Sequence, residues 1–213
     1  MECAAFYYSK GTTGHGWDGD YEEIIRIFCN SAYDVGITPI HIRLPHQKAL
    51  TEVDLCIEVS VALDELIYIR ELGYLEALKC AKSDIILCDP DQVFIRPIPT
   101  LKKQARLTYR ENTDAAFNGP RMLSKACIPM LEGTIKRLDM MKKKYRIWDG
   151  DSMAFRDSVN AQALIGLKLE LAYEGLYFSR PSLGADSSSY MYHFKGKAAK
   201  QEMLDYAKEN GLL

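Results

Sequence analysis

The stretch Ser83-Asp84-Ile85-Ile86-Leu87-Cys88-Asp89-Pro90-Asp91 sets a short apolar run directly against two acids. Branched apolar residues between polar, turn-forming flanks predict a buried strand over Ser83–Cys88. Open α/β sheets place their ligands past the carboxyl ends of such strands, where Asp89 and Asp91 fall. Two carboxylates ~4 Å apart repel by roughly 4 kcal/mol at an effective dielectric of about 20. A hard divalent cation relieves that repulsion and keeps coordination positions open for phosphate oxygens. Asp and Pro also favour turns, but a turn alone gives no reason for two acids. The D-x-D spacing cannot identify itself, because three such pairs occur: Asp18/Asp20, Asp89/Asp91 and Asp149/Asp151. Only the middle one ends an apolar strand.

Upstream, Ala4–Tyr8 reads as a buried first strand, followed by a Gly-rich polar loop, Gly11–Asp20. Tyr21–Tyr33 carries apolar residues at helical spacing, and Gly36 stops it. Ile40, Ile42 and Leu44 alternate in Thr38–Leu44, a second strand. This strand–helix–strand opening predicts a parallel sheet. Residues 45–60 give no clear pattern. Ala62–Cys80 reads as helix, with Gly73 a break between two pieces. Downstream, Gln92–Ile95 is extended and is stopped by Pro97 and Pro99. Ala105–Tyr109 and Ala115–Phe117 read as strands, Lys125–Lys143 and Phe155–Ile165 as helices. Tyr190–Phe194 is extended, and a helix over Ala198–Asn210 ends at Gly211. No linker, repeat or boundary divides the chain, so residues 1–213 are expected to form one α/β domain with a mostly parallel central sheet flanked by helices.

The 213 residues can bury one sizeable core. An apolar fraction of 47%, a charged fraction of 26% and a net charge of −2 are ordinary for a globular protein and do not mark a general polyanion binder. No apolar run reaches the roughly 18 residues of a membrane span, and residues 1–8 lack a basic segment before an apolar one. The six cysteines are scattered, with no C-x-x-C, and suit buried, reduced thiols. A cytoplasmic location is the expectation.

The segment from Ser83 through Ile98 resembles the D-x-D segment of GT-A (Rossmann-like) glycosyltransferases, in which a hydrophobic residue, a basic residue and a proline follow the acids. A second segment, Tyr192-His193-Phe194-Lys195-Gly196-Lys197, resembles the H-F-x-G segment of the glycogenin-like and galactosyltransferase-like, retaining families. The resemblance implies a Mn²⁺ or Mg²⁺ ion held by Asp89, Asp91 and His193 against the diphosphate of a nucleotide-sugar, a UDP-sugar by preference. It also implies close approach of that diphosphate at Gly196. The family's phosphate lysine falls on Ala199 here, so the role passes to Lys195, Lys197 or Lys200. Trp148-Asp149-Gly150-Asp151-Ser152 resembles the acid-bearing segment before a helix. It makes Asp151, or Asp149, the acid beside the reacting sugar; Asp151 or Ser152 could equally cap a helix beginning at 153. Phe117-Asn118-Gly119 resembles F-N-x-G with one residue missing and offers Asn118 to the donor sugar. Arg70 sits where a donor-binding arginine is common. Tyr7, Tyr8 and Ser9 lie where such enzymes bind base and ribose.

These residues imply transfer of a sugar to an acceptor hydroxyl, with charge on the leaving diphosphate stabilised by metal and lysine. A nucleotidyltransferase of related fold is the rival; it would want a basic Gly-rich loop, and in Gly11–Gly16 and its flank only Lys10 is basic. Lys102-Lys103, Lys142–Lys144 and Lys195–Lys200 would admit a nucleic-acid acceptor, such as a hydroxymethylated base, if they shared a face. The acceptor is otherwise unspecified. Trp17-Asp18-Gly19-Asp20 repeats the Trp-Asp-Gly-Asp pattern; Asp18 or Asp20 would cap the following helix.

Overall fold

The strand Glu2–Phe6 (β1) lies inside a seven-stranded sheet. The computed structural model describes residues 1–7, 21–62, 64–109, 117, 119–147, 150–173, 178–179, 181 and 188–213. After β1 come α1 (Tyr21–Asp34), β2 (Thr38–Arg43), β3 (Asp54–Cys56), α2 (Leu66–Cys80), β4 (Ile85–Leu87), β5 (Gln92–Phe94) and β6 (Ala105–Tyr109). Then follow β7 (Arg121–Leu123), α3 (Ile128–Met140), α4 (Lys143–Ile147), α5 (Gly150–Leu164), β8 (Leu169–Tyr173), β9 (Phe178–Ser179), β10 (Met191–His193) and α6 (Lys197–Glu209). The main sheet runs β3-β2-β1-β4-β7-β6-β8. All its neighbours are parallel except those of β7, which is antiparallel to both β4 and β6. A second sheet, β5-β10-β9, pairs β10 antiparallel to β5 and parallel to β9.

Both faces of the main sheet are covered, which is why its central strands read as unbroken apolar runs. Ala4, Phe6, Ile85 and Leu87 face α2, α3 and α5 in one core. Cys3, Ala5, Ile86 and Cys88 face α1 in another. The apolar stripe of α1 has a further edge, Ile24 and Ile27, which packs with Val93, Phe194 and Met203 and so seats α6 and the small sheet. Gly36, at φ 77°, closes α1 as expected.

Several expectations are corrected. Helix α2 is continuous: Gly73 is not a break but a contact, since a Cβ there would stand 2.7 Å from Ile42 Cγ2. The helix expected over Lys125–Lys143 is shorter, beginning after a 3-10 turn at Lys125–Cys127, with Pro129 in the first turn of α3. Helix α5 starts at Gly150, earlier than expected, because Gly150 lets the chain pass the Tyr145 carbonyl. Strands β7 and β8 were not expected. Of the expected strand Ala115–Phe117, only Phe117 is described, in a turn; the loop Gly11–Asp20 and its two acids lie outside the described residues. The six cysteines are free, and Cys3, Cys29, Cys88 and Cys127 are buried. Among the described residues no helix is long and apolar enough to cross a membrane.

Candidate active site

The strand order reverses between β1 and β4: β1 leads through α1 to β2 on one side, while β4 lies on the other. Crevices at such a switch point are where open α/β sheets bind ligands. Tyr7 follows β1 here, and Asp89 follows β4. The turn carrying Asp91 then feeds β5, whose pairing with β10 brings His193 alongside; the Phe194 N–H donates to the Asp91 carbonyl at 2.9 Å.

Asp89, Asp91 and His193 each bring one ligand atom within 4.8 Å of the others. His193 Nε2 stands 3.3 Å from Asp91 Oδ1, yet that buried oxygen accepts no hydrogen bond among the described residues. The other oxygen, Oδ2, accepts from Lys200 Nζ, which also donates to the Phe194 carbonyl at 2.8 Å. Burial alone would raise the Asp91 carboxyl; the charge of the neighbouring His193 and the charge and hydrogen bond of Lys200 outweigh it and hold the group well below the usual carboxylate range. An ionised carboxylate whose Oδ1 accepts no hydrogen bond among the described residues, a second carboxylate and an imidazole fit Mn²⁺ or Mg²⁺ in donor chemistry.

Arg70 ties this trio to the next acid. Its Nη1 donates to Asp89 Oδ1 at 3.0 Å, and its Nη2 donates to Asp151 Oδ2. Asp151 is buried in the first turn of α5, not at an N-cap before residue 153. Tyr74 donates its hydroxyl to the Cys88 carbonyl at 2.9 Å, fixing the backbone just before Asp89. A small cavity beside Asp89 is lined by Arg70, Tyr74, Gly119 and Arg121.

The geometry therefore gathers Asp89, Asp91, His193, Lys200, Arg70 and Asp151. Tyr7 is buried at the end of β1, stacked on Tyr21 with ring centroids 4.8 Å apart. Gly196 has φ 97° and nothing within 4 Å of a Cβ built on it, so its glycine answers a left-handed backbone rather than crowding. Lys195 is exposed, whereas Lys200 is buried against Asp91. Tyr8, Ser9, Asn118 and Asp149 lie outside the described residues, as does the side chain of Lys197. The basic clusters are partly consumed by partners: Lys200 turns inward, and Lys143 pairs with Asp64 at 3.1 Å. Sequence reasoning missed Glu71 and Arg121. Arg121 Nη1 donates to Glu71 Oε2 at 2.7 Å, and its guanidinium lies 3.8 Å from the Phe155 ring centroid. The available signal was a charge in the midst of apolar neighbours, at Arg121 ahead of Met122-Leu123 and at Glu71 on a buried helix face.

The sheet order, the switch point and the flanking helices define a GT-A-like glycosyltransferase fold. Among solved structures, the chain is similar to a glycosyltransferase involved in the glycosylation of the major capsid of PBCV-1. The TM-score is 0.66 at 9% sequence identity, and the match covers 95% of this chain and 98% of that chain. No protein-family model and no curated protein sequence matches the chain.

Proposed function

We propose that the protein is a divalent-metal-dependent glycosyltransferase, similar to the glycogenin-like and galactosyltransferase-like families, that moves a sugar from a nucleotide-sugar, UDP-linked by preference, to an acceptor hydroxyl. The observation that carries this reading is the convergence of Asp89, Asp91 and His193 within 4.8 Å at the switch point of a glycosyltransferase fold. When bound, Mn²⁺ or Mg²⁺ supplies Lewis-acid stabilisation to the departing diphosphate. Asp89, Asp91 and His193 would hold it.

The chain's own groups do the rest. Lys200, beside Asp91, adds a second positive charge where the leaving group becomes more negative; its burial against Asp91 favours it over Lys195 and Lys197 for this role. Arg70 keeps Asp89 oriented. Asp151 spends Oδ2 on Arg70 and is the acid proposed to act beside the donor sugar, with Asp149 as the alternative. The stacked Tyr7 and Tyr21 rings offer an aromatic wall for the base, with Tyr8 and Ser9 next in the chain. Asn118 and Gly196 complete the donor contacts.

A thermal-shift screen of nucleoside diphosphates and nucleotide-sugars, with and without Mn²⁺, tests the reading. The expected result is stabilisation by UDP or a UDP-sugar only when Mn²⁺ is present. Absence of any metal-dependent shift across the panel overturns it, and pyrophosphate as the released product would point to nucleotidyl transfer instead.

A further inference from the structure

Two buried charges behind the site have no part in that scheme. Glu71 is fully buried on α2, and the Arg121 side chain on β7 is 6% exposed. Charges are rare in such positions unless paired. Their 2.7 Å hydrogen bond uses Glu71 Oε2, while Glu71 Oε1, buried and without a hydrogen bond among the described residues, stands 3.7 Å from Arg70 Nη2. Arg70 is thus contested by three acids: Asp89 and Asp151, which it bridges, and Glu71, beside it in the chain. Arg121 Nη2 also stands 3.8 Å from Asp151 Oδ2, so it backs that carboxylate. The order Glu71–Arg121–Asp151–Arg70–Asp89 alternates in charge and ends on a proposed metal ligand.

We propose that Arg121 is a positioning residue: it neutralises Glu71 and thereby leaves Arg70 free to orient Asp89 and Asp151. The inference rests on the metal-site reading above. Without Arg121, the buried Glu71 carboxylate captures Arg70, and Asp89 loses the partner that orients it. Partners of metal ligands matter in this way because they fix ligand direction. Removing both charges releases Arg70 again, and a buried ion pair replaced by apolar side chains of similar size commonly keeps its stability.

The test is Mn²⁺ binding to the full chain in the presence of UDP, followed by electron paramagnetic resonance, with melting recorded in parallel. R121M is expected to weaken Mn²⁺ binding about tenfold, and E71L/R121M to return it to within about twofold of wild type. R121Q, whose neutral amide still hydrogen-bonds Glu71, serves where R121M does not fold, and the same loss is expected of it. Folded R121M or R121Q that binds Mn²⁺ like wild type overturns the inference, as does a folded double variant that stays as weak as the single one. Wild type that binds no Mn²⁺ with UDP overturns the proposed function, and the positioning role with it.

Discussion

Lys200 on α6 donates to Asp91 Oδ2 from 109 positions further along the chain. The contact joins the turn that leads into β5 to the helix that follows β10. Lys200→Met leaves a half-buried carboxylate opposed by His193 alone and should cost about 2 kcal/mol at pH 7, read by urea unfolding. The sign with pH follows from the depressed Asp91 carboxyl. Its stabilising contribution is complete above the unfolded value near 4 and is lost as pH falls below it. The gap between wild type and K200M should therefore narrow below about pH 4, and a constant gap would contradict the assignment.

Asp89 and Asp91 should differ in how they fail. Asp89→Asn keeps an oxygen for Arg70 but loses charge, whereas Asp91→Asn also presents an amide to Lys200 or His193. Both variants should lose the Mn²⁺-dependent stabilisation by UDP, which for wild type at a hundredfold excess over Kd amounts to about 5–10 °C in Tm. D91N should in addition melt lower than D89N without any ligand. Equal melting of the two in buffer would show that Asp91 carries no more structural burden than Asp89.

His41 on β2 predicts an acid limb to stability. It is 2% exposed, and neither ring nitrogen has a hydrogen-bond partner among the described residues. Burial pushes its pKa down to about 4. The unfolded chain protonates near 6.5, so unfolding takes up a proton between these values and stability falls as pH drops from about 6.5 to 4, by about 3 kcal/mol in all. His41→Leu should flatten that limb in chemical denaturation at pH 7, 5.5 and 4.5. An unchanged slope would show that other groups control it.

Gly150 and Gly73 should respond to alanine to different degrees. A Cβ at Gly150 would lie 2.2 Å from the Tyr145 carbonyl oxygen, which is backbone and cannot turn aside. Gly150→Ala should cost about 3 kcal/mol and move Asp151 away from Arg70. At Gly73 the clash is with Ile42 Cγ2, the branch methyl of a buried side chain that can yield a little where backbone cannot, and the expected cost is about 2 kcal/mol. Urea midpoints of the two variants decide the order.

The parts of this fold that were legible in sequence are those where local chemistry and tertiary role agree. Strand β4 is apolar on both sides because both faces are covered, and its acids begin where the sheet ends. Helices α1 and α6 show their stripes because each has one wet face. Strand β8 offered a period-two signal in Leu167, Leu169 and Leu171 against Lys168 and Glu170, but the segment directly follows a helix and received no assignment. Strand β7 offered almost none: three residues after a proline, opening on a charge that is paired inside the fold with Glu71.

The candidate site was legible in its acids and histidine and opaque in its cations. Asp89, Asp91 and His193 sit in short segments with recognisable neighbours. Lys200 could be chosen over Lys195 and Lys197 only once α6 had a direction, since a helix shows one face to Asp91 and another to solvent. Arg70 was expected to contact the donor, but its two acid partners were out of reach of the sequence, since they come from positions 19 and 81 residues away.

The pairing of β5 with β10 also makes the site a sensor of its own closure. Among the described residues every strand of the main sheet ends by Tyr173, but His193 and Lys200 come later. Both are brought to Asp91 by the docking of residues 191–200 on β5 and α1. Local opening of that segment alone would dismantle the ligand trio while the seven-stranded sheet stays formed, so binding competence follows the stability of this one attachment rather than that of the whole sheet.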